Sequence, residues 1–256
     1  MKFTTVTAIF AIALPMAADI KKNFVLHLRS LDFPNLRSPW FPTLRIFRLA
    51  KLRSLSLPDV NSNLVSVITS VAPESKTCSP SQYGQPEFAN ECATAADAAP
   101  QIEKSFKTYQ IDNSYEKAAI IALMLFESEK FKFNKKHFPT LVPGQGTRSM
   151  QDVNNNRAYA EAVLTTDDAK NQLKNAGTDV VKVLELVNTP ELSFGSGAWY
   201  LAAKCSDDVR KELQTGTNAG WEGYMKAVLK KDATPDAIKA RRPLWEKTKA
   251  FVGKGL

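Results

Sequence analysis

Glu127 has the clearest chemical potential in this chain: it closes the run from Ala118 to Phe126, nine apolar residues in a row, within SYEKAAIIALMLFESEKF. A carboxylate at the exit of a buried helix is partly desolvated. Desolvation disfavours the charged form, so the expected pKa is raised and the group stays protonated near neutral pH. Such a group can serve as a general acid, the role glycosidic bond cleavage requires as an oxocarbenium-like centre develops. Glu129 is the reserve acid, although its neighbour Lys130 suggests a solvated ion pair. His137 follows Lys135 and Lys136, and the other histidine, His27, lies in a stretch of different composition. No metal-ligand cluster, Cys-His pair or Ser-His-Asp set is therefore expected, and no cofactor.

A second group of candidates lies in GQGTRSMQ, from Gly144 to Gln151. Gly144 and Gly146 permit positive φ and a close approach of ligand to main chain. With Gln145, Met150 and Gln151 they form the expected substrate-binding set. Gln151 has two readings, a hydrogen bond to substrate or a bond that holds this turn against the Glu127 helix. Trp199 and Tyr200, in SFGSGAWYLAAKC, read as core more readily than as sugar platforms. Trp221 and Tyr224 read as packing, and Arg241 and Arg242 as a solvated face.

The elements that must position these residues are helices. The pattern predicts them over Ala96 to Tyr109, Ser114 onward with Ser114 as N-cap and Glu116 favouring the first turn, and Asn155 to Leu164. Further helices are expected over Asp167 to Asn175, Asp179 to Val187, Ser193 to Cys205, Ser206 to Leu213, Ala219 to Leu229 and Pro235 to Phe251. The helix ending at Glu127 is apolar all round, so it must be the axis of the domain. Between it and Asp152 the chain alternates Phe131 and Phe133 and then breaks at Pro139, Pro143, Gly144 and Gly146, which fits short extended pieces or a small β-hairpin. The expected class is mainly α, a helical domain around a buried central helix with a small hairpin or irregular lobe.

Residues 1–18 give one Lys, an apolar run from Val6 to Leu14, then Pro15 and the small residues Ala17 and Ala18, the order of a secretory signal peptide too short to span a membrane. The expected location is extracellular. Residues 19–77 form a basic segment rich in Leu, Arg and Pro, and residues 78–256 the folded domain. From Asp19 to Ser56 eight Lys and Arg face only Asp19 and Asp32, so six of the eight net positive charges come from one stretch. A membrane-surface or propeptide role competes there with a bland reading, translated non-coding sequence. Because the charge is so localised, the whole-chain excess is a poor guide to partners, and neither nucleic acid nor a stable membrane anchor is expected. Of three cysteines, Cys78 and Cys92 are the expected bridge, closing a Pro- and Gly-containing loop with a gain of about 3 kcal/mol. Cys205 is left unpaired.

Glu127-Ser128, GQGTRSMQ and SFGSGAWYL occur in an order that resembles the lysozyme-like superfamily. Lytic transglycosylases place Glu-Ser at the end of a central helix and a Gly-containing turn ending in Met-Gln about twenty residues later. Family 19 chitinases show a helix-end Glu, a Gly-x-Gly turn and a later Ser-Phe segment leading into a helix. The resemblance covers Tyr115 to Cys205 and implies a secreted, monomeric glycosidase acting on chitin or peptidoglycan, with Glu127 as proton donor. The sequence departs from the chitinase pattern in having no acidic residue between Glu129 and Asp152. Asp152 is the nearest substitute for the second carboxylate, and a single-acid mechanism of the transglycosylase kind is the other option. A non-catalytic glycan-binding or host-interaction protein is the alternative reading.

Overall fold

The computed structural model describes residues 60–79 and 86–256. The signal-peptide and basic-segment expectations before residue 60 lie outside the described residues. The described part is mainly helical, with ten α-helices. They are α1 (Val60–Val71), α2 (Ala95–Thr108), α3 (Ser114–Glu127), α4 (Val153–Val163), α5 (Asp167–Ala176), α6 (Val180–Val187), α7 (Pro190–Lys204), α8 (Asp207–Leu213), α9 (Asn218–Leu229) and α10 (Pro235–Lys249). Short 3-10 turns cover Pro73–Lys76, Pro86–Glu91 and Lys230–Asp232.

Most helices begin at a side chain that accepts from a free backbone N–H of the first turn. Thr94 and Asp97 form a reciprocal capping box on α2, and Asp152, Thr166, Asp179, Thr189, Ser206, Thr217 and Thr234 start α4 to α10. The cap of α3 is Asn113, whose Oδ1 accepts from the N–H groups of Tyr115 and Glu116. Ser114, expected in that role, instead donates its hydroxyl to the carbonyl of Leu256 at 2.9 Å. Glu116 does more than favour a dipole: it is 1% exposed and takes Arg210 at 2.7 Å, tying α3 to α8. A buried carboxylate is tolerated there because a guanidinium meets it with two hydrogen bonds.

α3 is the axis, as its all-round apolar sequence requires. Ala118 to Leu125 are all buried, with α10, α7 and α8 packed around them. Phe106, Ile120, Leu123, Phe194, Leu201, Trp221 and Trp245 share this main core. The rings of Trp221 and Trp245 stack with centroids 5.1 Å apart. α7 has two working faces. Phe194, Ala198 and Leu201 join the main core, while Trp199 and Tyr200 join a second one with Tyr159, Val183, Leu184 and Val187. Close approach of α7 to α3 depends on Gly197, where a Cβ would stand 3.1 Å from Ile120.

α1 lies before the expected domain start at residue 78, and it is part of the same core: Leu64, Val67, Ile68 and Val71 are buried against it. The expected hairpin does not form; among the described residues only two isolated antiparallel bridges occur, Lys135 with Gly146 and Gly146 with Gln151. Pro139, Pro143 and consecutive positive φ angles at Glu129, Lys130 and Phe131 leave no stretch long enough for a ladder. The irregular lobe is present. Cys78 and Cys92 are bridged, with Cα atoms 5.8 Å apart, and Cys205 is free.

The bridge closes a 14-residue separation. Cys92→Ser should therefore lower the unfolding free energy by about 3 kcal/mol in urea titrations, and a loss below about 1 kcal/mol would mean that other contacts already confine the loop.

Candidate functional site

The lobe after α3 is built around a charge. Three residues in succession, Glu129, Lys130 and Phe131, have φ of 50°, 58° and 70°. Left-handed backbone costs an L-residue about 1–2 kcal/mol. The turn also swings carbonyls inward, away from any ladder. The Arg148 guanidinium meets them: Nη1 donates to the carbonyls of Phe131 (2.8 Å) and Phe133 (3.0 Å), and Nη2 to that of Glu91 (2.6 Å). Arg148 is 5% exposed, and burial lowers its pKa to about 10, so it stays charged at neutral pH. Ser128 completes the turn by donating to Met124 O and accepting from Phe131 N–H.

The turn carrying Arg148 is fastened on every side. Gln145 Nε2 donates to Met150 O, Gln151 Nε2 to Ser196 O, and Asn156 Nδ2 to the carbonyls of both Gly144 and Gln151. The hydroxyls of Ser149 and Ser196 lie 2.6 Å apart. Gly144 has φ of 79° and presses on Val180; at Gly146 a Cβ would stand 2.5 Å from the Asn134 carbonyl. The glycines thus serve close approach of protein to protein. Gln151 Nε2 makes the structural hydrogen bond of the two readings, while its Oε1 has no hydrogen-bond partner. Met150 is buried against Phe133, Phe88 and the disulfide.

Between this lobe, α2 and the start of α7 lies a cleft of about 480 Å³. Its lining includes the amides of Asn90, Gln101, Asn134 and Asn188, the carboxylate of Asp97, Arg148, and the apolar Ala96 and Phe194. A side-chain amide both donates and accepts, so these four can meet a hydroxyl or an ether-type oxygen. Asn134 Oδ1 and Arg148 Nε are buried without a hydrogen-bond partner. Such orphaned atoms cost about 1–3 kcal/mol each. Beside the cleft His137 Nε2 bonds Glu91 at 2.9 Å, and Glu91 also accepts the backbone N–H of Asn134. Phe88 lies against the His137 ring at 4.2 Å between centroids. Among the described residues no group of three or more His, Cys, Asp or Glu could hold a metal ion.

Glu127 is not part of that lining. Arg241 of α10 covers it, with Nε and Nη2 at 2.7 and 2.6 Å from Oε1, while its guanidinium lies 4.4 Å from the Phe126 ring centroid. Arg241 is therefore an interior partner, 14% exposed, and not the solvated face its sequence suggests. Burial raises the Glu127 pKa, as expected; Arg241 and Lys136 oppose that rise, and burial is the larger effect. The reserve acids are placed differently again. Glu129 is exposed in the left-handed turn, and Asp152 caps α4 through Asn155 with Lys230 Nζ 4.0 Å away. Trp199 and Tyr200 are core residues, Tyr200 donating its hydroxyl to Ala227 O. Cys205 is pushed up to about 12 by burial and is unreactive as a thiolate.

Sequence reasoning missed Arg148, Asn134 and Arg241. One signal was available for the first: Arg148 is the first arginine after Arg53, in a segment whose other strong bases are all lysines. An arginine kept among lysines marks a site that needs several directed donors.

No family model matches the chain, and no solved structure matches it. A curated protein that does match is the bifunctional dioxygenase (DOX)-epoxy alcohol synthase (EAS) of Fusarium oxysporum (strain Fo5176), 34% identical over 142 residues, which is 54% of this chain and 11% of that protein. The chain thus spans about a tenth of the length of the curated relative it matches. That name describes oxidation, not hydrolysis. It overturns the resemblance to lytic transglycosylases and family 19 chitinases, and with it the glycosidase, chitinase-like and glycan-binding readings. The physical reason is visible in the landmarks themselves: GQGTRSMQ is spent on holding the lobe together, SFGSGAWYL on joining two cores, and Glu127 on Arg241.

The raised pKa of Glu127 has a measurable sign. With the folded value above the unfolded one, the folded protein binds more protons between the two, so stability falls as pH rises from the ordinary glutamate range through the raised value. Urea unfolding at a series of pH values should show this fall, and Glu127→Gln should flatten it. An unchanged slope in the variant would assign the proton to another group.

Proposed function

We propose that this chain is a small-molecule-binding module allied to the chemistry in its relative's name, receiving an oxygenated ligand of the epoxy alcohol class in the cleft between α2, α7 and the Arg148 lobe. The cleft carries the reading. Its volume of about 480 Å³ lies within the range of small-ligand sites, and its mix of side-chain amides and apolar residues suits a molecule with a hydroxyl, an epoxide oxygen and a hydrocarbon body. The hydroxyl donates to an amide oxygen of the lining, and the epoxide oxygen accepts from an amide NH2 of Gln101 or Asn90. Export belongs to the same proposal, supported by the residue order in 1–18 and by the Cys78–Cys92 bridge. Among the described residues no helix is long and apolar enough to cross a membrane.

Calorimetric titration of the full chain with a medium-chain epoxy alcohol and with the matching alkene tests the proposal. Saturable binding of the epoxy alcohol is expected, weaker by roughly tenfold in Asn134→Leu and in Gln101→Leu, with little binding of the alkene. Equal affinity for both compounds, or no binding of either, would sink it.

A further inference from the structure

Independently of the cleft, the loop between the two ends of the lobe has the make-up of a membrane-surface contact. Three of the four large apolar side chains exposed among the described residues fall within five positions: Phe138 (51% exposed), Leu141 (61%) and Val142. Pro139, Thr140 and Pro143 between and beside them are exposed too. Isolated exposed apolar residues are ordinary on any protein; a cluster at one protruding tip is not. The tip is held in place: Lys136 N–H bonds Gln145 O, and Gln145 N–H bonds Val142 O, so the loop closes at its base. Phe138 leans on Phe133, ring centroids 5.8 Å apart, which fixes its root and leaves its outer face in water.

The segment that carries the tip has one sign of charge. From Lys130 to Gln151 there is no Asp or Glu, while Lys130, Lys132, Lys135 and Lys136 flank the apolar tip on its N-terminal side. All four lysines are partly exposed. Arg148 is spent on carbonyls, His137 on Glu91, and Lys136 lies within charge range of Glu127, so Lys130, Lys132 and Lys135 supply the field. An apolar tip flanked by partly exposed lysines fits a surface that offers anionic headgroups above a hydrocarbon layer. We propose that the Phe138–Val142 tip docks reversibly on an anionic lipid bilayer, its apolar side chains entering the headgroup boundary and Lys132 and Lys135 meeting the headgroups.

The test uses the full chain carrying Phe138→Trp, with wild-type fluorescence subtracted, and vesicles of phosphatidylcholine with or without about a third phosphatidylserine. The added tryptophan should shift to the blue and be quenched by brominated lipid on anionic vesicles only, and high salt should reverse both changes. Lys132→Gln/Lys135→Gln should bind those vesicles roughly tenfold more weakly. A tryptophan that stays unshifted while the chain sediments with vesicles would place the contact in the basic stretch before residue 60 and overturn the proposal. So would an equal shift on neutral vesicles, undiminished binding by the lysine variant, or no vesicle response at all, the result a protein partner for this tip would give.

Discussion

The Arg148 guanidinium is the interaction on which the lobe and the cleft depend. Three left-handed residues after α3 store strain and turn two carbonyls, those of Phe131 and Phe133, into the protein. Among the described residues no strand is present to receive them. One buried cation bonds both and adds the Glu91 carbonyl, joining the turn to the segment that carries the disulfide. Each charge-assisted bond is worth about 1.5–3 kcal/mol, enough for three of them to offset the strain and much of the desolvation of the charge. Lysine, a compact ammonium without the planar fork, does not reach three carbonyls in this arrangement.

Arg148 can do this only because its own turn is immobilised. Ser196 holds the turn through Ser149 and Gln151, and Ser196 sits in α7 between the glycines that let that helix approach its neighbours. The packing of α7 against α3 and the placement of Arg148 are thus one constraint seen from two sides. Glu127 belongs to a separate joint. Its pairing with Arg241 fastens the end of the central helix to α10, as Glu116 with Arg210 fastens the beginning to α8. Both carboxylates of the central helix are structural partners of arginines from the C-terminal helices.

Helices were readable because their signals are local: hydrophobic period, a Ser, Thr, Asp or Asn at the start, a break at the end. The boundaries of α2, α5, α9 and α10 follow from those signals to within two residues. α1 escaped because Val60 to Val71 was judged with the basic stretch before it, although Leu64, Val67, Ile68 and Val71 keep helical spacing. The lobe was legible as irregular but not as a structure, since its backbone is fixed by a side chain seventeen residues on from Phe131. The candidate site misled for a related reason. Glu127 has the burial and raised pKa of an acid catalyst, and nothing in the sequence near it announces that an arginine 114 positions later will cover it.

Amide hydrogen exchange on wild type and Arg148→Met tests the central claim most directly. The N–H groups of Phe131, Phe133, Gly146 and Met150 are hydrogen-bonded within the lobe, and those of α3 within the central helix. The variant should lose protection at the four lobe amides while α3 keeps its own, showing that one guanidinium holds the lobe on an independently stable helical body. Lobe protection equal to wild type would contradict the account.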